Sequence, residues 1–176
     1  MRSVRYSVAA SLDGYIAGYH GEFDWIPEDP TIDFGALFGR IDTVLLGRRS
    51  YETVLESGGE HPWPVGSRVF VFSRTLRQDA YPDVTVVADG AARVVAALRN
   101  EAGDGEIWLF GGGALFKSLL AERQVDVVEV AVVPILLGGG VPLLPEGSLS
   151  TRLKLTGTKG YPSGIVLLTY AVQAES

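Results

Sequence analysis

Glu106 to Leu120 reads EIWLFGGGALFKSLL, and the fold follows from the way this stretch changes period. Ile107, Trp108, Leu109 and Phe110 make a short continuous apolar run, which suits a strand buried on both faces. Gly111, Gly112 and Gly113 end it. Ala114, Leu115, Leu119 and Leu120 then recur at helical spacing. A buried strand that breaks at glycine and restarts as a helix is half of a βαβ unit. Glycine at the junction removes Cβ, so a ligand can touch the backbone. The free N–H groups of the new helix face the same place and favour an anion. A tight turn with no ligand explains an isolated glycine cluster equally well, so the decision falls to the rest of the chain.

Outward from this unit, the same junction recurs. Thr43-Val44-Leu45-Leu46 is a buried strand ending at Gly47, and Arg48-Arg49-Ser50 opens a short helix carrying Tyr51, Val54 and Leu55. Upstream, Val4 to Ala10 reads as a strand, Ser11-Leu12-Asp13-Gly14 as a turn, and Tyr15-Ile16-Ala17 as an extended piece. Tyr19 to Thr31 has no period and is a long loop, a common place for function. Phe34, Leu37, Phe38 and Ile41 lie at helical spacing. Ser57 to Gly66 is a Gly/Pro loop. Downstream, Arg68 to Ser73 and Val84 to Ala88 are strands, and Ala91 to Glu101 is a helix with Val94, Val95 and Leu98 inward. Val125 to Val133 is a valine-rich strand. Ile135 to Glu146 holds a second glycine triplet that precedes prolines and reads as a loop. Leu153 to Thr158 and Ile165 to Val172 alternate like an antiparallel hairpin. The order predicts one α/β domain over residues 1–176, with a mainly parallel sheet and antiparallel strands at its C-terminal end.

Composition narrows the function. The chain has 176 residues, 47% hydrophobic, enough for a sizeable core. A formal charge of −6 argues against non-specific nucleic-acid binding, which needs a basic face. The absence of cysteine removes disulfides, thiolate nucleophiles and cysteine metal sites. His20 and His61 lack ligand spacing, so no metal is expected. No apolar run reaches the roughly 20 residues of a membrane span, and no signal peptide opens the chain; a cytoplasmic protein is expected.

Four motifs, in order, carry a family resemblance: the first strand with SLDGYIA, LLGRRSYETV, VFVFSRT, and EIWLFGGGALFKSLL. This order is similar to that of dihydrofolate reductases. VVPILLGGGVPLLP and the final hairpin resemble more closely the reductase domain of the bifunctional riboflavin-biosynthesis deaminase/reductase and its stand-alone homologues. The resemblance spans nearly the whole chain. It implies an eight-stranded, mostly parallel sheet with flanking helices, NADPH as cofactor, and hydride transfer. By position it assigns Gly47, Arg48, Arg49 and Ser50 to the cofactor phosphates, where guanidinium forks suit a 2′-phosphate. Taken alone, the arginines fit a solvated helix start. Ser73 and Arg74 match the strand end that holds the adenosine side. Phe110, Gly111, Gly112, Gly113, Ala114 and Leu115 match the strand end and glycine turn beneath the pyrophosphate. Ala9 and Ile16 match the backbone that meets the nicotinamide carboxamide.

The resemblance is thinner at the substrate end. Dihydrofolate reductases carry an acid on the first helix. Asp33 precedes that helix here, with altered spacing to Gly47, and is either that acid or an N-cap. Asp13 reads as structural; Asp24 and Trp25 face substrate or anchor the long loop. The expected function is an NADPH-dependent reductase of the riboflavin branch, acting on a small polar heterocycle such as 5-amino-6-(5-phosphoribosylamino)uracil. Dihydrofolate reduction and a non-catalytic nucleotide-binding module are the alternatives. No zinc-bearing deaminase domain is expected within the chain, which leaves the physiological substrate open. A homodimer paired through the C-terminal strands is expected.

Overall fold

A computed structural model of the chain describes residues 1–58 and 60–174. Its elements, in chain order, are β1 (Val4–Ser11), β2 (Tyr15–Ala17), α1 (Phe34–Phe38), β3 (Ile41–Gly47), α2 (Arg48–Glu56), β4 (Arg68–Phe72), β5 (Thr85–Val87), α3 (Ala91–Asn100), β6 (Glu106–Gly111), α4 (Gly113–Ala121), β7 (Val127–Val133), β8 (Val141–Pro142), β9 (Leu153–Gly160) and β10 (Val166–Val172). The strands order as β5-β4-β3-β6-β1-β7-β10-β9 in one eight-stranded sheet. Every neighbouring pair from β5 to β7 is parallel. β10 runs antiparallel to both β7 and β9. The expected sheet is the one that forms.

The central strands read as unbroken apolar runs because helices cover both of their faces. Side chains alternate along a strand. Leu45 therefore joins a core with Val4, Tyr6, Ile107 and Leu109, closed by Val95 and Leu98 of α3 and Leu115, Phe116 and Leu119 of α4. Val44 and Leu46 join the opposite core with Val69, Val71 and Trp108, closed by Tyr51 and Val54 of α2 and by Trp63. Tyr6 stacks on Phe116 with ring centroids 3.9 Å apart.

The N-terminal edge of the sheet is sealed by charge. Buried Arg2 donates to the Gly105 carbonyl at 3.0 Å and to Thr43 Oγ1 at 3.1 Å, and pairs with Asp42. Glu101 links Arg2 to Arg68.

Some boundaries differ from the reading of the sequence. α1 stops at Phe38 and Ile41 begins β3. Gly35 and Gly39 weaken that helix, since glycine costs about 1 kcal/mol per helical residue. β7 begins at Val127, two residues after the expected Val125, which is buried in the core without pairing as part of the strand. Unforeseen was a second, two-stranded sheet of β2 with β8. Its pairing makes the second glycine triplet a receptor for the start of the chain. A Cβ on Gly139 would overlap the Tyr19 ring, and one on Gly140 would overlap the Ala17 carbonyl.

Candidate active site

β3 and β6 are neighbours, and their register sets Leu46 opposite Gly111. The two glycine junctions therefore lie side by side. α2 leaves β3 on one face of the sheet and α4 leaves β6 on the other. Neighbouring strands whose helices depart to opposite faces open a crevice at their carboxyl ends, the usual ligand position in such sheets.

The crevice walls are backbone. Gly47 caps α2 and Gly112 caps α4, and neither helix has a side-chain cap. First-turn amides lack intrahelical acceptors and carry partial positive charge, so two such ends together favour an anion. A Cβ on Gly47 would lie 3.8 Å from the Gly112 amide. One on Gly112 would lie 3.3 Å from Ser50 Oγ, tighter than ordinary contact. Gly111 has φ +149°, a conformation that L side chains avoid. The third glycine does a different job. A Cβ on Gly113 would meet the Pro142 carbonyl and Pro145 Cδ at 3.2 Å, so the bare Cα admits β8 and the segment after it.

The other expected site residues divide between the surface, the sheet and the two cores. Arg48 donates to Thr75 Oγ1 at 2.9 Å and faces Glu52 at 3.8 Å. Arg49 is exposed on the first turn of α2. Buried Ser73 accepts from the Thr75 and Leu76 amides at 3.1 and 3.0 Å, which turns the chain out of β4. Arg74 pairs with Asp89 at 3.5 Å beside a cavity of about 320 Å³. Phe110 packs edge-on against Trp63 and Trp108, half-buried against the second core. Ala114 is exposed and Leu115 is buried in the first core. Ala9 pairs with Ala131 in the sheet. Ile16 lies on β2 against the first core.

Two carboxylates that carried little signal in the sequence fasten the rim. Asp13 accepts from Ser11 Oγ at 2.6 Å, the Leu137 amide at 3.0 Å and the Gly138 amide at 2.7 Å. The Ser11 hydroxyl and then the two amides hold its carboxyl below the usual range. This clasp fixes the β1–β2 turn to the loop after β7. Asp29 is buried and accepts from the Thr31 amide and hydroxyl and from the Ser163 amide at 3.1 Å. Hydrogen bonds from Ser163 and Thr31 hold it well below the usual range. It ties the long loop to the tip of the β9–β10 hairpin. An Asp two residues before Thr was the only local hint, because Ser163 is distant in sequence.

Asp33 is the N-cap of α1, its Oδ1 accepting from the Ala36 amide at 2.9 Å. Trp25 anchors its own loop through Nε1 to the Glu22 carbonyl at 2.9 Å, and Asp24 is exposed. Among the described residues no His, Asp and Glu cluster could hold a metal. No helix there is long and apolar enough to cross a membrane.

Comparison with known proteins bears on the family and the fold. The family model of the RibD C-terminal domain matches residues 2–167. YwjB of Bacillus subtilis (strain 168) is 34% identical over 165 residues, which is 91% of this chain and 92% of that protein. A Shewanella sp. PV-4 crystal structure, provisionally named a riboflavin biosynthesis protein, superposes with TM-score 0.82 at 30% identity, covering 99% and 100% of the two chains. The diaminohydroxyphosphoribosylaminopyrimidine deaminase/5-amino-6-(5-phosphoribosylamino)uracil reductase of Thermotoga maritima shares the fold, with TM-score 0.70 at 19% identity, over 98% of this chain and 57% of that one.

Proposed function

The chain belongs to the RibD C-terminal domain family, and from that premise we propose that it is an NADPH-dependent reductase acting on a small heterocycle of the 5-amino-6-(5-phosphoribosylamino)uracil type. The carrying observation is the pair of uncapped helix ends at Gly47 and Gly112, set side by side with bare glycine between them. This cradle fits a dinucleotide pyrophosphate: the amides of α2 and α4 and the Ser50 hydroxyl would bind its oxygens. Arg48, Arg49 and Arg74 would neutralise a 2′-phosphate. The backbone at Ala9 and Ile16 would orient the nicotinamide. The loop held by Asp29 and the turn held by Asp13 would limit water at the cleft. Bound NADPH would supply the hydride.

The test is nucleotide affinity, followed by turnover. NADPH is expected to bind more tightly than NADH. Changing Arg48 and Arg49 together to Ala is expected to weaken NADPH far more than NADH. One lost charge-assisted bond is worth about 1.5–3 kcal/mol, or about tenfold to a hundredfold. Equal wild-type affinities in a fluorescence titration would reject the NADPH preference. Absence of NADPH oxidation with 5-amino-6-(5-phosphoribosylamino)uracil would reject the substrate.

The assembly proposed with this function is a homodimer. Leu153 is set opposite Val172 and Leu155 opposite Tyr170, and facing residues of antiparallel strands share a face. Leu153, Leu155 and Val166 remain 40%, 51% and 39% exposed on this apolar strip, which a second copy would cover. Light scattering at micromolar concentration is expected to give about twice 18.8 kDa. A mass at the monomer value would reject the dimer.

A further inference from the structure

Beyond the glycine crevice, β4 and β5 end together, joined by the Ser73 amide to the Val87 carbonyl at 2.9 Å. Just beyond these ends, Arg74 Nε faces Asp89 Oδ1 at 3.5 Å. A cavity of about 320 Å³ opens between them, its wall completed by Ser73, Gly90 and Ala91. Gly90 caps α3 with φ +73° and no side-chain acceptor, so the first amides of α3 are uncapped beside the cavity. A Cβ on Gly90 would lie 3.3 Å from the Arg93 guanidinium. Arg74 is the cation among the described residues that line this cavity, and the first amides of α3 add partial positive charge beside it. Asp89 is the only carboxylate among the described residues that line it.

We propose that Asp89 is a specificity-determining residue that limits the preference for NADPH over NADH. The inference rests on the dinucleotide reading of the cleft. A 2′-phosphate carries about −1.5 to −2 charge at neutral pH. A phosphate paired with Arg74 would stand beside the Asp89 carboxylate, which faces Nε of the same guanidinium. The 2′-hydroxyl of NADH meets no such repulsion, and a carboxylate at a strand end is the type of acceptor that binds a ribose hydroxyl. Arg74 attracts the phosphate, Asp89 opposes it, and the balance sets the ratio of affinities. Both side chains are largely exposed, at 85% and 80%, so the effect is moderate and screened by salt.

The experiment titrates the wild type, Asp89→Asn and Arg74→Ala with NADPH, NADH, adenosine 2′,5′-bisphosphate and 5′-AMP, at low and high salt. Asp89→Asn is expected to tighten NADPH and the bisphosphate by about three- to tenfold at low salt, with NADH and 5′-AMP unchanged or weaker. The gain should shrink at high salt, and Arg74→Ala should move the ratio the other way. If wild type binds both dinucleotides and Asp89→Asn leaves their ratio within about twofold, the role of Asp89 is overturned while the cofactor reading stands. If wild type binds neither, the cofactor reading falls and this inference with it.

Discussion

Replacing Gly112 with valine is expected to abolish dinucleotide binding while leaving the fold standing. The backbone at Gly112, φ −94° and ψ −171°, is extended and open to a branched residue. Gly111, at φ +149°, is not, so the same change there would confuse strain with lost binding. At Gly112 the added Cβ lies 3.3 Å from Ser50 Oγ, and the two methyl groups would fill the gap between the starts of α2 and α4. Helix amides would then be screened from any pyrophosphate. Losing two charge-assisted bonds at about 1.5 kcal/mol each removes about 3 kcal/mol, or more than a hundredfold in affinity. Far-UV circular dichroism should match wild type while NADPH fluorescence enhancement disappears. Normal NADPH binding by the variant would reduce the glycine turn to a structural device.

How much of this site the sequence discloses depends on the range of the interaction. The junctions at Gly47 and Gly111 are legible because the apolar period changes from strand to helix within a few residues. Their adjacency is not, since β3 and β6 are separated by most of two βα units. The family resemblance assigned both junctions to the cofactor phosphates. The second glycine triplet reads as a loop and is one, but its need for hydrogen at Cα stays hidden for the same reason: it comes from Tyr19 and Ala17, more than a hundred residues away. Asp13 reads as a turn residue until Leu137 and Gly138 are set beside it. Across the sheet, Arg5 pairs with both Glu106 and Glu129, and Glu129 also accepts from Ser7 and Thr169. This buried polar ladder spans four strands, and strand period alone marks those positions only as outward. What the sequence conveys is local, and what it hides is the meeting of distant loops around the cleft.

Dihydrofolate is expected to be a poor substrate, with NADPH oxidation at or near background. Reducing a pterin needs a proton delivered to a ring nitrogen as hydride arrives, and a positioned acid contributes about 10²–10⁴-fold. The first helix offers only Asp33, whose Oδ1 already caps α1 through the Ala36 amide at 2.9 Å. That helix is five residues long. The loop before it holds Trp25, Pro27 and Pro30, and the Asp29–Ser163 tie fastens it to the β9–β10 hairpin. Asn caps a helix as well as Asp does, so Asp33→Asn keeps α1 and removes only the acid. Turnover of the preferred substrate should change by less than about twofold in that variant, since a cap-preserving change alters the helix by a few tenths of a kcal/mol at most. A robust dihydrofolate rate that collapses in Asp33→Asn would instead make Asp33 the proton donor and folate-type reduction the activity.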